Sequence, residues 1–83
     1  MGAKILRYPA VIEATGLNRS KIEDLSAAGD FPKGVKLSNG GRAVGFFADE
    51  VELYLDWRRA ERDGTTTETW KEWLAKRGRK AVV

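Results

Sequence analysis

Residues Ala14 to Leu25 read ATGLNRSKIEDL, a glycine-centred break between two stretches of helical character. Upstream of the break, Pro9 suits the first position of a helix, where its missing N–H would have had no intrahelical partner. Val11, Ile12 and Ala14 then give a short apolar face, and Gly16 stops the helix after barely two turns. Leu17 is placed to fill a corner. Asn18 is a good N-cap for the next helix, and Ser20 with Glu23 also fits a capping box, so that helix starts at 19 or at 21. Its inward face is Ile22, Leu25 and Ser26 at i, i+3, i+4, and Ala28-Gly29 ends it. So early a break turns the second helix across the first and presents its N-terminus, which is helix-turn-helix geometry.

Beyond Phe31-Pro32 the period changes. Val35 and Leu37 alternate with Lys36, Ser38-Asn39-Gly40-Gly41 supplies a turn, and Val44 and Phe46 alternate with Ala43 and Gly45, so a two-stranded hairpin is expected as a wing. Asp49 with Glu52 suggests a capping box opening a third helix that runs to about Arg62. Val51, Tyr54, Leu55 and Arg58 lie on one face of it, Leu53 and Trp57 on another. After Gly64, Thr65 with Glu68 and Thr69 with Glu72 both fit capping boxes before a short fourth helix ending near Arg77. That helix has one apolar stripe, Trp70, Trp73 and Leu74, which is expected to pack on Leu53 and Trp57 of the same chain or of a neighbour. The fold class is thus α+β: a winged helix-turn-helix with an additional C-terminal helix. The expected division is a winged domain over residues 1–63 and a Thr-rich linker, Trp-containing helix and basic tail over 64–83, with Arg79 and Lys80 in a mobile end.

Composition narrows the chemistry. The 83 residues include no Cys and no His, which removes disulfides, thiolate metal sites and the commonest general base, so no enzyme, metal or cofactor is expected. No apolar run approaches a membrane span and no signal-peptide core is present, so a cytoplasmic protein without membrane contact is expected. The net charge is +3, distributed as +1 over residues 1–28, +2 over 29–47, −3 over 48–63 and +3 over 64–83. Acidic charge is therefore concentrated in the third helix, away from the helix-turn-helix and wing.

Duplex DNA suits such an arrangement, because a second helix fits the major groove while a basic hairpin tip reaches phosphates or the minor groove. On the helix side the candidate contacts are Asn18, Arg19, Ser20 and Lys21, with Arg19 and Lys21 able to reach guanine edges or phosphates. Glu23 and Asp24 are candidate base readers, since a carboxylate can accept from cytosine N4, although a solvated helix face explains them equally well. On the wing the candidates are Lys36, Ser38, Asn39 and Arg42 around a Gly-rich tip. Any one basic residue is more often merely solvated; their co-location carries the expectation. Asp49, Glu50 and Glu52 are better explained by helix capping than by metal binding, and GGRAVG lacks the Lys-Ser/Thr of a phosphate-binding loop.

Two stretches, ILRYPAVIEATGLNRSKIEDLSAAGDFPKGVKL and GGRAVGFFADEVELYLDWR, resemble the AlpA family of prophage regulatory proteins and the small winged-helix phage excisionases. A more distant likeness extends to the DNA-binding domains of MerR-type regulators. The most specific parts are TGLNRSKI, GDFPK and GRAVGF leading into EVELYL; Phe46-Phe47 stands where one Trp is expected, and the segment after Gly64 lies outside the pattern. The resemblance implies a prophage or integrative-element protein with recognition helix Arg19 to Ala28 and a wing centred on Ser38 to Arg42. It would act on double-stranded DNA as a transcriptional regulator or an excisionase, with RNA polymerase or a phage integrase as protein partner. Two other functions fit the residues: a protein-interaction module working through Leu53, Trp57, Trp70 and Trp73, and the DNA-binding part of a phage packaging protein. Self-association is expected to use Leu53, Trp57, Trp70, Trp73 and Leu74.

Overall fold

A computed structural model describes residues 4–77; the tail with Arg79 and Lys80 lies outside the described residues. The elements run β1 (Ile5–Leu6), α1 (Tyr8–Thr15), α2 (Arg19–Ala28), β2 (Val35–Lys36), β3 (Val44–Phe47), α3 (Ala48–Asp63) and α4 (Trp70–Arg77). This is an α+β winged helix-turn-helix with a C-terminal helix. The sheet has three antiparallel strands in the order β1-β3-β2, one more than the hairpin expected from sequence. Ile5 pairs with Phe47 and Leu6 with Phe46, while Val35 pairs with Gly45 and Lys36 with Val44. Gly45 fits this central position because a Cβ there would run into Ile5 of β1 and approach Leu37, just beyond β2.

The corner between α1 and α2 forms as its residues dictate. Gly16 adopts φ 76°, a left-handed conformation that costs other residues more, and its N–H donates to Ile12 O. Thr15 Oγ1 donates to Val11 O at 2.8 Å and accepts from the N–H of Leu17, so the side chain bridges the end of α1 and the turn. Asn18 Oδ1 accepts the N–H of Lys21 at 2.8 Å and caps α2. The Ser20–Glu23 box does not form, because the Glu23 carboxylate accepts from Arg19 instead. At the far end, Gly29 N–H reaches Ser26 O and Asp30 N–H reaches Leu25 O, the paired bonds of a Schellman stop.

At α3 the helix start differs from the sequence expectation, and at α4 one of its two expected boxes forms. α3 begins at Ala48 with Phe47 as N-cap and no side-chain cap, so Asp49 and Glu52 do not form a box. β3 runs straight into α3, and the N–H of Ala48 donates to Lys4 O at 2.7 Å as a continuation of the strand ladder. Asp49 and Glu50 then sit in the first turn, where the helix dipole favours acids. Thr65 Oγ1 turns back to Ala60 O, leaving Thr69 and Glu72 to cap α4: Thr69 N–H donates to Glu72 Oε1 at 2.9 Å and Glu72 N–H to Thr69 Oγ1 at 3.2 Å.

One apolar cluster joins all layers: Val11, Ile22, Phe31, Phe46, Val51, Tyr54, Trp57, Trp70 and Trp73. Phe31, on the connection after α2, sits edge-on to Phe46 at 5.9 Å and to Tyr54 at 4.6 Å between ring centroids. Trp70 lies 5.4 Å from Tyr54 and 6.1 Å from Trp57, so α4 packs on α3 of its own chain. Trp57, Trp70 and Trp73 are buried, and Leu53 and Leu74 are partly buried against them. Of the five residues expected as a self-association or partner-binding face, the three tryptophans are taken up inside the chain, because an apolar face of α3 needs a cover and α4 supplies it, while Leu53 and Leu74 keep part of their surface exposed. The Trp57 indole Nε1 donates to Glu68 O at 2.9 Å, tying the linker to α3. The Glu68 carboxylate reaches forward to Lys76 and to Arg77, the latter at 3.2 Å, and the hydrogen bond from Lys76 leads in holding its pKa below the ordinary value.

Candidate nucleic-acid interface

β1 is the element that assembles the polar face. By pairing with β3 it carries the following residues, Arg7 and the start of α1, to the base of the wing, and Arg7 Nε donates to Val44 O at 3.2 Å. A cleft of about 430 Å³ opens there, lined by Arg7, Tyr8, Pro9, Arg19, Arg42, Ala43 and Val44. Arg19 enters it from the first turn of α2, its guanidinium carbon 4.4 Å from the centre of the Tyr8 ring and its Nε 3.2 Å from Glu23 Oε2. Arg42 enters from the wing and has no ion pair among the described residues. A second groove adjoins the first through their shared Tyr8 and Val44, and is also lined by Glu23, Ser26, Ala27, Lys33, Gly34 and Phe46. Together the two grooves form a trough between α2 and the hairpin.

The sequence candidates fall into distinct places. Arg19 and Arg42, far apart in the chain, share the cleft. Ser20, Lys21 and Asp24 are exposed on α2, and Lys36, Ser38 and Asn39 are exposed on the wing outside the cleft. Asn18 has its carbonyl oxygen committed to the cap. Glu23 is committed in the same way to Arg19, which places it beside that arginine's guanidinium. Arg7, Tyr8 and Lys33 line the trough but do not stand out in the sequence. The available signal for Arg7 and Tyr8 was their position just before Pro9 at a helix start; what it lacked was the pairing that brings them to the wing.

The turn, the three-stranded sheet with its β2–β3 wing and the basic cleft define a winged helix-turn-helix protein in which three arginines line a cleft beside the start of α2. The chain belongs to the AlpA family of prophage regulatory proteins, since the family model described as prophage CP4-57 regulatory protein (AlpA) matches residues 4–60. That family is DNA-binding and regulatory in kind, not enzymatic. An uncharacterized protein, ORF88 of Enterobacteria phage P4, is 39% identical over 59 residues, which cover 71% of this chain and 65% of that protein. The match thus spans just under two thirds of the relative's length. No solved structure matches the chain. The family match ends near Ala60, so α4 and the residues that cap it lie beyond the matched segment. No described helix is long and apolar enough to cross a membrane.

Proposed function

We propose that the protein is a sequence-specific binder of duplex DNA that serves a prophage or integrative element, with α2 in the major groove and the β2–β3 hairpin on the adjoining backbone. The observation that carries this reading is the meeting of Arg19 and Arg42 in one cleft, with the exposed polar face of α2 on one side and the wing on the other. Asn18 acts chiefly by capping α2; Ser20, Lys21 and Asp24 face the groove floor or its walls; Lys36, Ser38 and Asn39 meet phosphate or the minor groove. Residues 1–63 are the DNA-binding unit and 64–83 its C-terminal extension.

Within that function the protein regulates transcription or directs excision, in the cytoplasm, together with RNA polymerase or a phage integrase. The two roles differ in how copies line up on DNA. An excisionase occupies tandem direct repeats beside an attachment site and bends the intervening DNA, whereas a two-fold dimer occupies a palindrome. Selection of bound duplexes from a random pool at near-physiological salt, followed by sequencing, tests both levels. Enrichment of a motif is expected, and its direct or inverted repetition separates the roles; a folded protein that enriches nothing is not a sequence-specific DNA binder.

A further inference from the structure

We infer that the cleft lined by Arg7, Arg19 and Arg42 is a clamp for one backbone phosphate of the bound DNA, with Arg7 as a contact residue. The inference rests on the DNA-binding function proposed above and specifies what its cleft takes. Three arginines line the cleft from three separate places in the fold: the residue preceding α1, the first turn of α2 and the wing. Three like charges are brought together here, and among the described residues Arg19 alone of the three has an acidic partner, Glu23, which lies outside the cleft lining; the excess positive charge is unfavourable until an anion enters.

The way two of these arginines are held indicates the kind of anion. Arg7 is anchored through Nε to Val44 O, and Arg19 through Nε to Glu23 while its plane lies over Tyr8. In both, the hydrogen-bonded atom is Nε, and no hydrogen bond among the described residues engages the two terminal nitrogens. That leaves the guanidinium fork, the edge that matches two oxygens of a phosphate. Tyr8 and Pro9, at the start of α1, line the same cleft, so the positive end of a helix dipole adds to the arginines.

The geometry also decides between the two roles open to Arg19. A guanine reader must extend to the floor of the major groove, whereas Arg19 is laid against Tyr8 and turned toward the wing. Extending it would forfeit both the Tyr8 stack and the Glu23 pair. Glu23 is therefore a positioning residue for Arg19, and Tyr8 is the platform on which the guanidinium rests.

The test uses the full chain and a duplex recovered from the selection, with affinity measured by fluorescence anisotropy over a range of salt concentrations. Arg7→Gln keeps an amide donor for the Val44 carbonyl while removing the charge. It is expected to weaken binding roughly tenfold and to reduce the salt slope by about one unit, uniformly across sequences. Arg7→Lys restores the slope. The double variant Arg7→Gln/Arg19→Gln loses less than the sum of the single losses, because both side chains serve one phosphate. Single neutral methylphosphonate substitutions, scanned along each strand with both proteins, should reveal a position whose neutralisation weakens Arg7→Gln by a smaller factor than it weakens wild type, because Arg19 and Arg42 still meet that phosphate.

The clamp is overturned if no such position exists, or if Arg7→Gln changes neither affinity nor slope. It is equally overturned if Arg19→Gln leaves the slope intact and relaxes discrimination at one base pair, which would make Arg19 a base reader. Failure of the wild-type protein to enrich any duplex is a separate result, and removes the DNA-binding function before any variant is made.

Discussion

The two sides of this molecule spend their large side chains in opposite ways. On the α3–α4 side Trp57 and Trp70 are buried against each other and Tyr54, Trp73 is buried in the same cluster, and the linker carbonyl of Glu68 takes up the Trp57 indole N–H. On the side formed by α1, α2 and the wing, Arg7, Arg19 and Arg42 converge on a cleft with their terminal nitrogens uncommitted. Buried aromatic surface holds a fold together, whereas three arginines gathered with a single acidic partner form an arrangement that a bound polyanion completes. Stability and binding should accordingly separate by side.

The largest effect is expected from the aromatic seam. Trp70→Ala removes a side chain that is 2% exposed and touches both Tyr54 and Trp57, so it should cost about 3–5 kcal/mol in urea unfolding. The salt slope of DNA binding by the molecules that remain folded should be unchanged. A Trp70→Ala protein of wild-type stability would mean that α4 is not docked on α3 and would dissolve the contrast between the two sides. Next in size, Arg42→Ala should weaken duplex binding by about 1.5 kcal/mol and lower the salt slope by about one unit. Its unfolding midpoint should match wild type, since Arg42 makes no ion pair among the described residues. A changed midpoint with unchanged binding would reverse the assignment of Arg42 from function to structure.

Much of this division could be read from sequence, and the missing parts share a cause. The corner at Gly16 to Asn18, the inward face of α2, the hairpin and the Trp70-Trp73-Leu74 stripe each carry a local signal: a stop, a cap, a period or a turn. β1 carries none, because two residues have no period, and it exists only through its pairing with Phe46 and Phe47. The consequences of that pairing were therefore hidden as well. Ala48 takes its cap from Lys4 and not from Asp49 and Glu52, and Arg7 reaches the wing. Glu23 shows the same limit on a smaller scale: its spacing from Ser20 suits a capping box, but Asn18 already caps the helix and Arg19 lies one turn away. Sequence also described the tryptophan stripe without saying which chain would cover it, a question that only the α3–α4 contacts answer.

Asn18 lies between the two sides in kind, since it is a structural residue at the proposed binding face. Asn18→Ala deletes the acceptor for the Lys21 N–H and should cost about 1 kcal/mol of stability, measured by urea unfolding. Asn18→Asp keeps the acceptor and adds a negative charge beside the phosphate path. If Asn18 acts by capping, the aspartate variant retains stability while binding DNA more weakly. A variant that loses stability despite the retained oxygen would show that the cap does not depend on this acceptor.

The smallest expected effect concerns acid and the far side. Glu68 has a folded pKa below its ordinary value, first because Lys76 donates a hydrogen bond to its carboxylate, with Arg77 and Thr66 adding to it. A group with a depressed folded pKa contributes stability above its unfolded pKa, and that contribution is lost as the pH falls through the folded value. The pairing with the end of α4 should therefore weaken on acidification below the ordinary carboxylate range, about pH 4, while the aromatic contacts persist. Because its partners Lys76 and Arg77 are solvent-exposed, the change should be a small downward drift in melting temperature, not a second transition. Glu68→Gln should remove that drift while leaving the Trp57 bond in place, since the indole is held by the backbone carbonyl and not by the side chain. If Glu68→Gln drifts as wild type does, the acid sensitivity originates elsewhere, and α4 is held by its tryptophans without measurable help from the charges around it.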